Sequence, residues 1–151
     1  MAGAQEDILK LENQLCFAVY ACSREIIKLY RPILDELGLT YTQYVTMLAL
    51  WEKDGVSVKE LGGKLYLDSG TLTPLLKKME SMGLVTRERE KSDERSVVIT
   101  LTEKGANLKE KAFDVPAKLL CSAGFDAEEA AEVQMKVTKL LEQVQAFQVQ
   151  E

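Results

Sequence analysis

The chain has 151 residues, 46% hydrophobic and 28% charged, with 19 Lys+Arg, 24 Asp+Glu and no histidine, for a net charge of -5. Without imidazole there is no Ser-His or Cys-His nucleophile pair, no His-ligated zinc or haem, and no side chain that titrates near neutrality unperturbed. The length suits one domain with a real core, burying roughly 68–70% of its unfolded surface, and a pI near 5.0 argues against a general nucleic-acid coat while permitting one small basic face.

The opening residues, MAGAQEDILK, carry acids where a secretory leader carries bases, and the longest apolar run, Leu15 to Cys22, is far too short to span a bilayer. A cytoplasmic protein without a membrane partner is expected. Ile8, Leu11, Leu15, Val19, Cys22, Ile26, Leu29 and Ile33 recur at spacings of three and four, predicting one long amphipathic helix weakened at Pro32 and closed by Gly38. Cys22 falls on this stripe and is expected in the core. Thr40-Tyr41-Thr42-Gln43 has the form of a capping box, opening a second helix that Asp54-Gly55 stops.

Ser57-Val58-Lys59-Glu60 is a second capping box, ahead of a short helix through Leu65. A helix to Met82 follows, with Leu72, Leu75, Leu76 and Met79 on one side and Gly83 at its end. It begins either at Thr73, with Pro74 in its first turn, or at Ser69 with one bond lost at Pro74. The β-branched segments Leu84–Arg89 and Ser96–Leu101 enclose six polar residues, Glu90 to Arg95, and predict a hairpin. Thr102 then caps a helix expected to reach about Cys121 with a bend at Pro116, and Asp126 caps the last one.

Ala130, Val133, Val137, Leu140, Val144 and Phe147 form a sustained seam on that last helix. Its partner is either the first helix of the same subunit or the terminal helices of a second subunit. A homodimer built from the two termini is favoured, because both helices lie outside the compact middle. The acidity also belongs to the ends: residues 1–27 hold four acids and two bases, residues 112–151 seven acids and three bases, and the middle is near neutral.

The three cysteines, at 16, 22 and 121, contain no C-x-x-C pair and are core or redox residues rather than a disulfide scaffold or zinc knuckle. No metal, no cofactor and no catalytic residue is expected. The element order gives a mainly α fold with a small β-hairpin wing: a winged helix-turn-helix over 39–101, with 1–38 and 102–151 as a helical dimerisation region, in a single structural domain. Ser69, Gly70, Thr71 and Thr73, near the start of the second helix of the pair, suit phosphates and base edges, with Lys77 and Lys78 a turn onward. The hairpin adds Arg87, Arg89, Lys91 and Arg95, with Asp93 and Glu94 placed to pair with the Arg95 guanidinium. By charge alone a solvated hairpin would be preferred, since residues 68–95 hold six bases and six acids; the order of elements decides for double-stranded DNA.

The stretch Leu65 to Glu80, followed by Gly83-Leu84-Val85-Thr86-Arg87 and Asp93-Glu94-Arg95-Ser96-Val97, resembles the DNA-binding core of the MarR family. Leu11 to Phe17, Tyr20, Tyr30 and Leu39 to Tyr44 are similar to the organic hydroperoxide resistance regulators within it. At about 100° per residue, Tyr20, Ile27 and Tyr30 fall within about 40° of Cys16 around the helix, yet Tyr30 is about 21 Å along the axis and cannot reach Cys16 of its own helix. The resemblance implies that two such helices run antiparallel, so that Tyr30 and Tyr41 of a partner subunit bond the thiol. Phenolic O–H donors would stabilise a thiolate in an apolar pocket suited to an organic hydroperoxide. From spacing alone, Cys16 reads as a small buried hydrophobe.

The resemblance further implies oxidation of Cys16 to a sulfenic acid and then a disulfide with Cys121, as in the two-cysteine branch. Cys121 reads equally as a small residue buried at a helix end. The implied function is a repressor that binds a pseudo-palindromic operator when reduced and releases it when oxidised. The alternatives are a repressor answering a reversibly bound lipophilic or phenolic ligand, and a thiol peroxidase using Cys16 and Cys121.

Overall fold

The computed structural model describes residues 2–148. Helix α1 (Ala2–Ile8) and a 3-10 turn (Leu11–Asn13) precede α2 (Leu15–Asp35), so the continuous helix expected from Ile8 to Ile33 is interrupted. The cause is local. Asn13 Nδ2 donates to the Asp7 carbonyl at 2.7 Å, and Gln14 Nε2 donates to the carbonyls of Ile8 and Lys10 at 2.7 and 2.9 Å. These amides satisfy carbonyls that a continuing helix would have used. Pro32 stays within α2, and Gly38, at φ +70°, turns the chain.

Helix α3 (Tyr41–Glu52) starts on the expected reciprocal box: Thr40 Oγ1 accepts from the Gln43 N–H, and Gln43 Oε1 accepts from the Thr40 N–H. Strand β1 (Val56–Ser57) leads into α4 (Val58–Leu65). Ser57 caps α4 through the Glu60 N–H at 3.0 Å, but the Glu60 carboxylate turns to Lys53 Nζ at 2.7 Å, so only half of that box forms. After Tyr66, which ends α4 in the left-handed region at φ 56°, Asp68 Oδ1 accepts from the Thr71 N–H at 2.7 Å. This cap starts α5 (Ser69–Ser81) at Ser69, with Pro74 inside it.

Strands β2 (Val85–Arg89) and β3 (Val97–Leu101) form the expected hairpin. Strand β1, which sequence reasoning missed, joins to give an antiparallel sheet of order β1-β3-β2. Two residues are too few to display a period of two. The fifth helix, expected as one helix to about Cys121 with a bend at Pro116, is three short pieces: α6 (Glu103–Asn107), α7 (Lys109–Ala112) and α8 (Val115–Ala123). The breaks fall ahead of Pro116, which occupies the first turn of α8, where its missing N–H leaves nothing unpaired. Asp126 caps α9 (Ala127–Gln148) through the Glu129 N–H at 2.8 Å.

The chain divides into two compact units, one up to Val115 and one from Pro116. In the first, Leu34, Met47, Leu50, Leu61, Leu72, Leu76, Met79, Val85 and Ile99 are each at most 1% exposed. Each such side chain contributes about 1.5–3 kcal/mol by leaving water. Gly105 lets α6 press on the start of β2: a Cβ there would lie 2.1 Å from the Leu84 carbonyl oxygen. Trp51 Nε1 donates to the Gly105 carbonyl at 2.9 Å and ties α3 to the same place.

This core reaches only the C-terminal end of α2, at Ile33 and Leu34. Cys22, expected in the core, is therefore exposed, together with Leu15, Val19 and Ile26 of its stripe. In the second unit, Val133, Val137, Val144 and Phe147 of the α9 seam are also exposed. Among the described residues, no helix is long and apolar enough to cross a membrane.

Candidate functional site

Helices α4 and α5 meet across Tyr66–Asp68 as a helix-turn-helix. Leu72, Leu76 and Met79 direct one face of α5 into the core, and at about 100° per residue the opposite face carries Gly70, Pro74, Lys77, Lys78 and Ser81. All five are exposed, as are Ser69 and Thr71, while Thr73 is half-buried at the margin. The N–H groups of Ser69 and Gly70 lie in the first turn, where no helical acceptor precedes them. The expected contact residues thus share one accessible surface, at the end of a helix that favours anions.

The hairpin presents Arg89, Lys91, Asp93 and Arg95 at its exposed tip. Asp93 Oδ1 accepts from the backbone N–H of Arg95 at 3.0 Å, and Ser96 N–H donates to the Asp93 carbonyl. Asp93 therefore shapes the turn instead of pairing with the guanidinium, as sequence reasoning had it; among the described residues no carboxylate pairs with Arg95. Arg87 differs from its neighbours. It shares a strand face with buried Val85 and stands opposite fully buried Ile99, and Glu80 of α5 accepts its backbone N–H at 3.1 Å.

Cys16 lies in the first turn of α2, exposed. The Gln14 side chain, at the N-cap of α2, points back to α1, so the first N–H groups of α2 have no side-chain acceptor from the cap. Further along, Tyr30 of α2 packs against Tyr41 and Tyr44 of α3, with ring centroids 4.8 and 5.8 Å apart. Tyr30 and Tyr41 line a groove of about 370 Å³ with Ile27, Arg31, Leu34 and Leu39. Burial, reinforced by the neighbouring phenols, pushes Tyr30 up to about 12, and burial raises Tyr41 and Tyr44 as well. All three are O–H donors at neutral pH.

Tyr20 is not brought into this cluster. Its hydroxyl accepts from Arg24 Nη1 at 3.3 Å, and the guanidinium lies 5.4 Å from its ring centre. Cys121, in the last turn of α8, is exposed rather than buried at the helix end, and Gly124 at φ +71° closes that turn.

A family model for SarA/Rot transcriptional regulators matches residues 28–112. Over 136 residues the chain is 54% identical to the organic hydroperoxide resistance transcriptional regulator of Bacillus subtilis, covering 90% of this chain and 92% of that one. The chain belongs to the MarR family, in its organic hydroperoxide resistance branch. The fold of this regulator agrees. Reduced AbfR bound to DNA, a protein of Staphylococcus epidermidis, matches with a TM-score of 0.76 and 35% identity over 94% of this chain and 99% of that one. Disulfide-formed AbfR matches at 0.63 and 34% identity, over 93% and 99%.

Two features of the regulator's site escaped the sequence reading. The helix break before Cys16 rests on backward-facing amides, which periodicity does not report. Glu80 has no assigned role in the sequence reading, although the period of two that places Val85 inside also turns Arg87 toward it.

Proposed function

We propose that the regulator is a homodimeric, redox-sensing repressor that holds pseudo-palindromic operator DNA when reduced and releases it when an organic hydroperoxide oxidises Cys16. The observation that carries this reading is the pair of protonated phenols, Tyr30 and Tyr41, lining one groove. Tyr30 is 14 residues from Cys16 on the same helix, about 21 Å along its axis, so Cys16 can meet the pair only from a second subunit. The exposed apolar faces of α2 and α9 support such a dimer, formed by residues 1–38 and 102–151 around the DNA-binding region at 39–101.

In this reading Ser69, Gly70, Thr71, Thr73, Lys77 and Lys78 enter the major groove, and Arg89, Lys91, Asp93 and Arg95 bring the wing to the flanking backbone. The Cys16 thiolate attacks the outer peroxide oxygen, the O–O bond breaks, and the alkoxide leaves as an alcohol on taking a proton from a phenol or water. The sulfenic acid then condenses with the Cys121 thiol, forming a disulfide and releasing water. Restoring the thiols needs an external reductant, which suits a cytoplasmic switch that is not an enzyme.

The test is fluorescence anisotropy on operator DNA with cumene hydroperoxide titrated in, followed by a thiol. Release on oxidation and rebinding on reduction are expected, and Cys16→Ser should bind DNA but ignore peroxide. Peroxide-driven release of Cys16→Ser equal to that of the wild type would overturn the assignment. Release by a lipophilic carboxylic or phenolic compound without thiol oxidation would favour the reversible-ligand reading, for which the groove beside Arg31 is the suitable place.

A further inference from the structure

Five basic side chains on the DNA-facing surface, Lys77, Lys78, Arg89, Lys91 and Arg95, are exposed, and among the described residues none is joined to a carboxylate. Arg87, in the same hairpin, is built differently. Its side chain is 22% exposed and its Nη1 lies 3.9 Å from Glu80 Oε1. Its Nε is buried without a partner. The other oxygen of the same carboxylate, Oε2, accepts the Arg87 backbone N–H at 3.1 Å. One carboxylate at the end of α5, its side chain 44% exposed, thus accepts from the backbone of one residue in the middle of β2 and stands at ion-pair range of its head group.

That residue sits where the hairpin's position is decided. Arg87 faces Ile99 across the ladder, between Val85, which is anchored in the core, and Arg89, which is free at the tip. Glu80 follows fully buried Met79 and lies one turn beyond Lys77 on the helix that faces DNA. The connection from α5 to β2 turns through Gly83 at φ +76° and is tied at its base, where the Leu84 N–H donates to the Met79 carbonyl and Lys104 Nζ to the Met82 carbonyl; further along β2, Glu80 holds Arg87.

We propose that Glu80 and Arg87 form a strut fixing the wing's angle on α5, so that Arg87 is a positioning residue that acts on DNA binding without touching DNA. This rests on the reading of α5 and the hairpin as the DNA-binding surface. An arginine already neutralised by its own carboxylate and held under the sheet displaces few counterions when DNA binds, whereas an exposed arginine on a phosphate displaces about one. The two roles therefore differ in salt dependence and not only in affinity.

The experiment measures operator affinity of the reduced full-length protein between about 50 and 200 mM salt. Wild type, Glu80→Gln, Arg87→Met, the double variant and Arg95→Ala are compared. Glu80→Gln keeps an acceptor for the Arg87 N–H and serves if Arg87→Met does not fold. The strut predicts that Glu80→Gln and Arg87→Met each bind about ten-fold more weakly at every salt, with the logarithmic salt slope unchanged, and that the double variant is no weaker than the poorer single one. Arg95→Ala, by contrast, should lower the slope by about one unit.

A slope lowered by about one unit in Arg87→Met would make Arg87 a phosphate contact and overturn the strut. So would tighter binding by Glu80→Gln, the result expected from merely removing a negative charge near DNA. If Arg95→Ala has no effect on either quantity, the DNA-binding reading of the hairpin fails, a result distinct from either of these.

Discussion

Tyr30 of α2 and Tyr41 of α3 pack with ring centroids 4.8 Å apart and planes inclined at 46°, across the turn through Gly38. Two residues that the sequence places on different elements thus pack together and line one groove with mainly apolar walls. For a thiolate entering that groove, losing one phenolic O–H removes a hydrogen bond to a charged group, worth about 1.5–3 kcal/mol. Tyr30→Phe should therefore slow oxidation of Cys16 by cumene hydroperoxide about ten-fold or more while leaving reduced-state DNA affinity unchanged. Quenched-flow trapping of the free thiol measures the rate; an unaltered rate would remove Tyr30 from the sensor.

The same cluster makes stability depend on alkaline pH. In the unfolded chain Tyr30 ionises near 10, whereas in the fold burial, followed by Tyr41 and Tyr44, holds it at about 12. Between those values the unfolded state has lost a proton that the native state keeps, so the unfolding free energy falls as pH rises. Below 10 both states are protonated and the contribution is flat. Urea midpoints should hold steady from pH 8 to about 9.5 and then decline. In Tyr30→Phe the decline should be shallower, and an equal slope in both proteins would place the lost proton elsewhere.

Legibility followed the range of the forces involved. Caps at Thr40, Ser57, Thr102 and Asp126 were readable because a cap is written within four residues, and the Leu72-Leu76-Met79 stripe because a helix repeats its pattern. The α1–α2 break was not, since Asn13 and Gln14 act through backbone carbonyls six residues back. The three-way split of α6, α7 and α8 was only half legible: Pro116 marks the last break, whereas Leu108, between α6 and α7, is a good helix former and signals none. At the site, the residue types were legible but their orientation was not: Asp93 holds its own turn, Tyr20 is engaged by Arg24, and Cys22 sits on an apolar stripe that the core does not reach.

Exposure of Cys22 as well as Cys121 gives an oxidised Cys16 two candidate thiols in each chain. Cys22 lies on α2 itself, six residues from Cys16 and about 9 Å along the axis, beyond disulfide reach within one helix. If Cys121 of the other subunit resolves the sulfenic acid, the oxidised protein runs as a covalent dimer on a non-reducing gel. Cys121→Ser should then run as a monomer, whereas Cys22→Ser should still crosslink. A Cys121→Ser dimer with unchanged mobility would transfer the resolving role to Cys22.

Gly105 and Gly63 offer a test of the packing that carries the wing. A Cβ on Gly105 would stand 2.1 Å from the Leu84 oxygen and 3.3 Å from Leu101 Cδ2, against backbone that cannot swing aside. Accommodating it means lifting α6 off the start of β2, which also pulls the Gly105 carbonyl from Trp51 Nε1. Gly105→Ala should cost about 3 kcal/mol, at the upper end of overpacking penalties. Gly63, inside α4, has open space where its Cβ would go, so Gly63→Ala should stabilise by up to about 1 kcal/mol through helix propensity. Urea unfolding of both variants measures the difference. Equal stability of the two would mean that α6 does not bear on β2 as closely as the Leu84–Gly105 contact requires.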